Sequence, residues 1–596
     1  MTQQSTNSGF FGQVHIADVP HFSSAPQAKP YLSCKVVYRG YIANRQELVD
    51  LLRLSSEDVS IAGMFVAAYR RWGAELQRYV LGEYCVAIFD ELLQILLLTH
   101  DAVGLRPLYY KRLEGGIVFS SHPALLAPEG AKPDLDEQFV AAYLVYGHHY
   151  GDRTVYRDVL RLGAGQTLLW SGNDVRILRT WTLASIKPIG YKSPSDYDDH
   201  FLELLQKGVR AASDGKTWVE LSGGLDSSSV VCIAAAMGGK EIEAISVIYS
   251  QSITADEKEW ADEVLSLLSI RGHFIDGDHA KAFSTLPDRF VEEPTRTSNN
   301  WLLFMRYEEL MQAHGASVLL SGLGGDQALY GEAQIPIYLA DRFVRFNVAG
   351  IWTELTRWQQ SRPAQRSKRF MFSQSVIRPL IRYFTGRSLI GGIPGGVPWL
   401  NSEFKSRIGI DPGRIPGASP RMPNVMGQLY HERISQISLV SGQLSNQLTT
   451  KYEVRYPLLY RPLIEFMYAL PPEQQIQPGQ TRSLQRRALA GILPEKIRMR
   501  RDKKGPDESL FKGLRLNKSM RALLTDCPQV VQRGFVDAHR WSEAVQLASL
   551  GHVKAIRSFL STTSLEMWLQ QFAKGTREPA PSAAPRRDFD HSVQSG

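Results

Sequence analysis

The chain has 596 residues, of which 43% are hydrophobic and 21% are charged, and its formal net charge is +8. A chain of this length is too long for a single hydrophobic core, so we expect two domains with a long insertion or tail. The composition excludes global disorder. No apolar run approaches the ~18 residues that span a bilayer, and the amino-terminal residues lack the features of a signal peptide. We therefore expect a cytoplasmic protein with no transmembrane segment.

The cysteines and the basic residues indicate which bound groups and partners are expected. Cys34, Cys85, Cys232 and Cys527 lie far apart, with no CxxC pair and no histidine at ligand spacing, so we expect reduced thiols rather than disulfides or zinc. Residues 342–387 carry a run of arginines opposed only by one glutamate. This run is compatible with a solvated helical face, an acidic peptide, a partner protein or a membrane surface. No nucleic-acid-binding module accompanies it, so we expect no nucleic-acid partner.

Short β-like runs separated by turns extend from the amino terminus to about Trp181. They include Tyr31–Tyr38, Tyr84–Asp90, Ile95–His100, Gly116–Ser120 and Gln166–Trp170. Such a pattern predicts a sheet-rich domain, a layered α/β sandwich, over residues 1–190. The Pro-, Gly- and Ser-containing segment 183–195 is typical of a linker.

From Tyr197 the pattern changes to alternating helices and strands. An amphipathic segment, Asp199–Ala212, precedes the runs Thr217–Leu221, Ser227–Met237, Ile242–Tyr249, Asp256–Leu268, Gly272–Ile275 and Ser317–Leu320. This alternation predicts a doubly wound parallel sheet within a second domain, residues 195–575. An aromatic, basic and Gly/Pro-rich insertion at about 332–425 interrupts it, and helical patterns return in Val425–Leu448, Leu463–Leu470 and Ser483–Leu493. Residues 576–596 have the composition of a disordered tail.

The most informative segment lies between the run that ends at Leu221 and the next helical run. A strand-to-helix turn gathers free backbone N–H groups and the positive end of the helix dipole, which together bind anions. Glycines allow a phosphate to approach the backbone, hydroxyls add donors, and a carboxylate can bind Mg2+. The sequence therefore predicts a phosphate-binding loop formed by Ser222, Gly223, Gly224, Leu225, Asp226, Ser227 and Ser228. It is not a Walker A loop, because the GK[ST] ending is missing.

This SGGLDSS segment resembles the pyrophosphate loop of the N-type ATP pyrophosphatases, which cut ATP between its α- and β-phosphates. A second segment, Ser321-Gly322-Leu323-Gly324-Gly325-Asp326, resembles the second metal-binding loop of the asparagine synthetase superfamily. The resemblance implies that Gly322 contacts the nucleotide and that Asp226 and Asp326 share a Mg2+ ion. Val247, at the end of a predicted strand, is expected to contact adenine through its backbone.

Two segments near the carboxyl terminus extend the resemblance. Residues 453–459 (EVRYPLL) resemble the ExRxPFL segment of the superfamily, and 494–497 followed by 501–503 resembles its LPxxI…RxK segment. By this alignment Lys503, rather than Lys504, is expected to stabilise the charge that develops during adenylation and amide formation. The resemblance covers about residues 195–510.

The amino-terminal domain resembles the glutaminase domain of asparagine synthetases only in its framework. The segments 82–90 and 101–109 resemble the core strands and turn of that domain. Residue 2 is Thr where those enzymes place a nucleophilic Cys, no cysteine occurs before Cys34, and the pocket segments read RGYIAN (39–44) and SSH (120–122). A threonine nucleophile is conceivable but disfavoured, because the pocket is altered as well. We expect a degenerate Ntn-hydrolase-like α/β sandwich without glutaminase chemistry, so that ammonia is not the amine.

Within the superfamily, the chain resembles lasso peptide cyclases. The similarity rests on the altered glutaminase pocket, on GLGGDQ (322–327), on RYPLLYRPL (455–463) and on TRSLQRRALAGILPEKI (481–497). It implies Mg-ATP-dependent adenylation of an Asp or Glu side chain of a leader-cleaved precursor peptide, followed by attack of the peptide's amine to close a macrolactam. It also implies a leader peptidase and a leader-recognition protein as partners.

Other interpretations remain open at this point. Leu323 stands where asparagine-forming relatives carry Glu and β-lactam synthetases carry Tyr, and leucine cannot transfer a proton, so another group must handle the amine. A β-lactam-synthetase-like enzyme or another glutamine-independent amide ligase is the first alternative. A non-catalytic scaffold is the second, and it is disfavoured because both acidic residues and the lysine are present.

Overall fold

The computed structural model describes the chain except for residues 1–10, 16–20, 24–32, 56–58, 128–133, 148–150, 173, 239–241, 252–255, 331–335, 362–366, 391–395, 410–420, 446–451, 502–506, 554 and 574–596. The segment predicted as a tail therefore lies outside the described residues. All four cysteines are free, and only Cys527 is exposed. No helix in the described part is long and apolar enough to cross a membrane.

The amino-terminal domain contains two five-stranded antiparallel sheets, with strand orders β2-β1-β7-β6-β8 and β10-β9-β5-β4-β3. Its strands are β1 (Phe11–His15), β2 (His21–Ser23), β3 (Cys34–Ile42), β4 (Gly82–Asp90), β5 (Ile95–His100), β6 (Tyr109–Leu113), β7 (Gly116–Ser120), β8 (Leu160–Arg161), β9 (Gln166–Ser171) and β10 (Asp174–Arg179). Its helices are α1 (Arg45–Leu52), α2 (Ile61–Trp72) and α3 (Glu137–Tyr146).

Strand β4 shows why the sheets are layered. Successive side chains of a strand point to opposite faces, and β4 is buried on both. Cys85, Ala87 and Phe89 pack between the two sheets, whereas the alternate residues pack against α1 and α2. Helix α3 packs on the outer face of the other sheet. The predicted layered α/β sandwich is present.

The second domain is built on a five-stranded parallel sheet with the order β13-β12-β11-β14-β15. Its strands are β11 (Thr217–Glu220), β12 (Glu243–Ile248), β13 (Gly272–Asp276), β14 (Val318–Leu320) and β15 (Glu453–Arg455). Val219 and Ala244 face a core shared with α4 and α5, whereas Trp218 and Ile245 face α7 on the other side. The predicted parallel sheet with helices on both faces is present, and the fifth strand, β15, was not predicted.

The helices of this domain up to the insertion are α4 (Pro194–Ala212), α5 (Leu225–Gly238), α6 (Lys258–Leu268), α7 (Trp301–Ala313) and α8 (Gly325–Ala328). The insertion contains α9 (Tyr338–Val344), α10 (Ala349–Gln360), α11 (Lys368–Phe372), a π-helical turn at 373–377, α12 (Arg378–Phe384) and α13 (Ser402–Ile408). The predicted interruption of the α/β alternation is therefore a group of short helices.

The remaining helices follow the insertion. They are α14 (Val425–Ser445), α15 (Arg461–Ala469), α16 (Pro472–Gln475), α17 (Ser483–Ala488), α18 (Glu495–Met499), α19 (Asp507–Leu516), α20 (Lys518–Thr525), α21 (Gln529–Gln532), α22 (Ala538–Ser549) and α23 (Ile556–Ala573). Helices α22 and α23 pack with α3 of the first domain in one hydrophobic cluster, so the two domains share a core.

A buried ionic cluster also joins the domains. Arg106, which follows β5, is 1% exposed, and its Nη2 donates to Glu453 at 2.7 Å and to Glu83 at 3.1 Å. Burial acts to raise the pKa of Glu453, but the guanidinium groups of Arg106 and Arg455 hold it below its ordinary value. Burial raises the pKa of Glu83 to about 7. The cluster anchors β15 to the first domain.

Candidate active site

The two glycine-rich loops follow neighbouring strands of the parallel sheet. The first runs from the end of β11 to α5, and the second runs from the end of β14 to α8. The chain progresses from β11 to β12 and β13 on one side, then returns to β14 on the other side of β11. This reversal is a topological switch point, where parallel α/β sheets bind ligands at the carboxyl ends of the strands.

Glycines allow the two loops to contact each other directly. A Cβ atom on Gly322 would lie 2.7 Å from the backbone nitrogen of Ser227, and one on Gly325 would lie 2.3 Å from the carboxyl carbon of Asp226. Both distances are too short for any side chain. Gly322, predicted to contact the nucleotide, thus packs against the first loop, and its role towards ATP remains a prediction.

The first loop has the features of an anion site. Gly223 has a φ of +65°, and the N–H of Ser222 donates to the Oγ of Ser227 at 3.1 Å, which holds the turn in place. Ser228 Oγ is buried and has no hydrogen-bond partner among the described residues. Helix α5 begins one residue after Gly224 and directs its first N–H groups towards the turn. These features match what a pyrophosphate group requires.

The structure brings together the two carboxylates that were predicted to share a metal ion. Arg482 Nη2 donates to Asp226 Oδ2 at 2.7 Å and also contacts Asp326 Oδ1, so a single nitrogen atom lies between the two carboxylates. A cation at this position would contact both. Two carboxylates together with phosphate oxygens are ligands that suit Mg2+. The residues present therefore fit the ion that the family resemblance implies.

Arg482 was not identified from the sequence as a site residue. It precedes α17 and has a φ of +55°, an uncommon value for a residue other than glycine. Gln485, on the first turn of the same helix, donates to Asp226 at 3.3 Å and to Ser229 at 3.0 Å. The signal that could have identified both residues was the segment TRSLQRR, which was used only to assign the family.

Arginines also hold the segment around Arg500 against the first glycine-rich loop, residues 222–228, called below the phosphate loop. Arg500 donates to the carbonyl oxygen of Gly223 at 3.1 Å and to Glu257 at 2.9 Å, and it lies over the ring of Trp260. Arg486 donates to the carbonyl of Arg500 at 2.9 Å, which ties this segment to α17. Burial, followed by the neighbouring Arg482, lowers the pKa of Arg486.

Lys503 lies outside the described residues, so its predicted catalytic role is untested. The chain three residues before it is in contact with the phosphate loop through Arg500. Val247 lies on β12, whose carboxyl end is at the same edge of the sheet as the two loops, and its contact with adenine also remains a prediction. Leu323 is 39% exposed in the second loop.

Near Leu323 the structure places a carboxylate that the sequence did not single out. The N–H of Leu323 donates to Ser321 Oγ at 3.2 Å, and that hydroxyl donates to Glu220 at 2.7 Å. Tyr307 also donates to Glu220, at 3.5 Å. Glu220 ends β11 immediately before the first loop, so it is a carboxylate within reach of the second loop.

In the first domain, the positions that differ from glutaminases take part in structural contacts. The hydroxyl of Tyr41 donates to Glu83 Oε1 at 3.2 Å, and the guanidinium of Arg455 lies over its ring at 4.4 Å. His122 Nδ1 contacts Glu292 of the second domain. Cys85 is fully buried, and burial raises the pKa of its thiol to about 12, which disfavours the nucleophilic thiolate. Thr2 lies outside the described residues.

Comparisons with known proteins agree with this geometry. Residues 200–570 match the asparagine synthase family, and residues 10–182 match the glutamine amidotransferase domain. A putative glutamine-hydrolysing asparagine synthetase 2 from Methanocaldococcus jannaschii is 26% identical over 309 residues, covering 50% of this chain and 58% of that protein. Asparagine synthetase 3 of Bacillus subtilis is 22% identical over 522 residues, 79% of this chain and 75% of that one. Amidase chyE of Penicillium rubens is 22% identical over 287 residues, 45% of this chain and 42% of that one.

The extent of the matches differs between the two kinds of comparison. The chain spans less than two thirds of the Methanocaldococcus relative, whereas the asparagine synthase match covers more than half of the chain itself. It includes both glycine-rich loops, Arg482 and β15. The chain therefore belongs to the asparagine synthase family, and its amino-terminal residues belong to the glutamine amidotransferase domain type.

Proposed function

We propose that this chain is a lasso peptide cyclase, an AMP-forming ligase that closes a macrolactam within a leader-cleaved precursor peptide. The observation that carries the ligase assignment is the pair Asp226 and Asp326, held on two loops that pack against each other and contact one cationic nitrogen. The finer assignment to lasso peptides is supported by the segments 322–327, 455–463 and 481–497, and by an amino-terminal domain whose altered pocket positions, Tyr41 and His122, make structural contacts.

The proposed reaction has two steps. An Asp or Glu side-chain carboxylate of the peptide attacks the α-phosphorus of ATP, a P–O bond forms, and pyrophosphate leaves. The α-amine of the same peptide then attacks the activated acyl carbon and loses a proton, and AMP leaves with one oxygen of the original carboxylate. The peptide loses the equivalent of one water, and ATP is converted to AMP and pyrophosphate.

The residues of the chain have separate roles in this proposal. The turn at Ser222–Ser228 binds the departing pyrophosphate through backbone N–H groups and hydroxyls, and Asp226 and Asp326 hold Mg2+. When bound, the ion supplies charge neutralisation on the phosphates. Arg482 and Lys503 add positive charge where negative charge develops, which is the largest single contribution in many enzymes.

The amine comes from the peptide itself. A folded precursor that holds its amine beside its own acyl-adenylate replaces a bimolecular encounter with an intramolecular one, which gives a large rate advantage. Such an enzyme has no need for ammonia from glutamine. This explains how the amidotransferase-type domain could keep its fold while its pocket diverged.

Two other functions remain as alternatives. A β-lactam-synthetase-like enzyme, or another amide ligase that does not use glutamine, would need the same nucleotide site. A non-catalytic scaffold is disfavoured by the intact loops and carboxylates. The leader peptidase and the leader-recognition protein that a lasso pathway requires are proposed as partners on the family resemblance alone.

The test is an assay of pyrophosphate and AMP with Mg-ATP, with and without a leader-cleaved candidate precursor, together with the mass of the peptide. We expect peptide-dependent pyrophosphate and a peptide lighter by one water, both lost in Asp226→Asn. Pyrophosphate release with a free amino-acid derivative, but with no candidate peptide, would favour the β-lactam-type alternative. Ammonia release from glutamine that depends on this chain would contradict the proposal.

A further inference from the structure

The excess of positive over negative charge in this protein lies in one segment of the insertion. Residues 342–387 contain ten arginines and lysines and one acidic residue, Glu354, which gives a net charge of +9. The whole chain has a net charge of +8, so the other residues together carry −1. Glu354 already has partners, since Tyr338 donates to it at 2.7 Å and Arg357 lies 3.6 Å away.

The same segment exposes large hydrophobic side chains. Phe346 is 91% exposed, Phe384 is 63% exposed and Ile381 is 57% exposed. The others that the structure exposes here are Val344, Val348, Trp352, Phe370 and Ile377. Single exposed hydrophobic residues are ordinary, whereas a contiguous patch of them marks an interaction surface, so the arrangement of these side chains on each helix decides between the two.

These exposed side chains are not the core-facing side of the helices. In α10, Ile351, Leu355 and Trp358 are buried at helical spacing. Trp352 of the same helix is 48% exposed and stacks on Phe372. The helices of the insertion therefore have a filled core-facing side and a second apolar side that faces solvent.

The last helix of this group has the same two-sided character. In the π-helical turn and α12, Val376 and Pro379 are buried. Ile377, Ile381 and Phe384 recur every three to four residues on one exposed face. Arg378 and Arg382 lie between them in the sequence, and Arg421 lies over the ring of Phe384 at 5.4 Å. Apolar and cationic groups thus alternate along one helix.

We propose that the exposed face of the π-helical turn and α12, called here the basic aromatic face (Ile377, Arg378, Ile381, Arg382 and Phe384), docks on a bilayer that contains anionic phospholipids. Aromatic and aliphatic side chains that enter the headgroup region, flanked by arginines that contact lipid phosphates, characterise peripheral interfacial helices. A protein partner would have to present a matching acidic and apolar surface, and the test below distinguishes it from a bilayer. The site at Asp226 and Asp326 is not part of this surface, so the inference does not depend on the proposed reaction.

The test uses the full-length protein and phosphatidylcholine vesicles with and without phosphatidylglycerol, with bound protein measured by co-sedimentation. We expect binding to the anionic vesicles only, weakened by added salt. The double variant Arg378→Glu/Arg382→Glu should bind at least about 30-fold more weakly, since each cation near the surface contributes about fivefold. Ile381→Ser/Phe384→Ser should lower binding about tenfold or more through lost apolar burial.

Matched controls come from a hydrophobic pair outside this surface. Leu92 and Leu93 are 80% and 62% exposed in the turn between β4 and β5, and Leu92→Ser/Leu93→Ser should bind vesicles like the unmodified protein. The proposal is overturned if the unmodified protein binds neither vesicle, if it binds both equally, or if the two test variants match the control. Capture by immobilised polyglutamate without vesicle binding would indicate an acidic protein partner and would also overturn it. Pyrophosphate release, measured in parallel, reports separately on the proposed function.

Discussion

The two domains of this chain differ in which features of their families they retain. In the second domain, the two loops that contact nucleotide in the family resemblance are both intact and pack against each other. In the first domain, the segments around Glu83 and Arg106 are intact, whereas the altered pocket positions Tyr41 and His122 make structural contacts. The intact residues of the first domain are those that support the second. This difference is what we expect if the sandwich serves as structural support for the proposed ligase.

The buried cluster at the junction explains how this support is provided. Arg106 bridges a carboxylate of each domain, and Glu83 also accepts from the N–H of Tyr456, at 2.7 Å. Tyr456 follows β15 directly, and β15 pairs with β14, which leads into the second loop. Loss of the first domain would therefore disturb the strand beside the active site.

The largest expected effect is on the nucleotide site itself. Asp226→Asn should slow pyrophosphate release about 1,000-fold, because the loss of a carboxylate that holds the metal removes several kcal/mol of charge stabilisation. Asp262→Asn, at an exposed carboxylate of α6 that pairs with Lys258, is the control and should leave the rate unchanged. Equal rates of pyrophosphate release for the two variants would show that Asp226 does not take part in the reaction.

The next effect concerns the junction. Arg106→Met should lower the free energy of unfolding by about 3–5 kcal/mol, because two buried carboxylates lose their shared cation. Denaturant titration of this variant is compared with that of Arg112→Met, a change at an exposed arginine of β6. If both variants unfold at the same denaturant concentration, the cluster does not couple the domains.

The pH dependence of stability tests the same cluster. Burial raises the pKa of Glu83 from 4.5 to about 7, so the folded state holds a proton that the unfolded state has lost within this window. The associated stabilisation is complete below 4.5 and disappears as the pH rises through about 7. The variant Glu83→Gln does not titrate at this position. Relative to that variant, the free energy of unfolding of the unmodified protein should fall by about 3 kcal/mol between pH 4.5 and about pH 7.

Denaturant unfolding of both proteins at several pH values measures this difference. Glu293 has a pKa raised to about 7 by burial as well, but it is present in both proteins and cancels. A difference between the two proteins that stays constant with pH, or that changes in favour of the unmodified protein as pH rises, would contradict the assignment.

The smallest expected effect concerns Arg482. In the ligand-free protein, Arg482→Ala should lower stability by about 1–2 kcal/mol, since Asp226 and Asp326 lose their common partner and Asp326 is half-exposed. Added Mg2+ should then raise the melting temperature of this variant more than that of the unmodified protein. Arg306→Ala, which removes an exposed pair with Glu309, should show neither change. An identical Mg2+ response in all three proteins would exclude a cation site between the carboxylates.

The sequence predicted the parts of the fold that depend on local patterns. Strands β11 and β12 are apolar runs next to glycines or to segments with helical periodicity, so they could be predicted from local sequence. The first loop could be predicted in the same way because its residues are contiguous. Strand β15 was missed because it has three residues, of which Glu453 and Arg455 are charged, and they are buried only because Arg106 of the other domain pairs with Glu453.

The remainder depends on contacts between distant residues. Arg482 lies 156 residues from Asp326 in the sequence, and no local pattern indicates that they meet. For the insertion, the sequence indicated a helical face as one interpretation but not the bounds of its helices. Buried Ile351 and exposed Trp352 are both apolar, which weakens the periodicity that identifies a helix. The family resemblance supplied the second metal ligand, and Lys503 still rests on that resemblance alone.

The most direct test of the central claim follows the oxygen atoms of the substrate carboxylate. A leader-cleaved candidate precursor is labelled with heavy oxygen at its Asp and Glu carboxylates and incubated with the enzyme and Mg-ATP, and the nucleotide products are analysed by mass spectrometry. Activation as an acyl-adenylate predicts AMP that carries one labelled oxygen, unlabelled pyrophosphate, and yields unaffected by glutamine. Formation of ADP with label in inorganic phosphate, or a product that requires glutamine, would contradict the account.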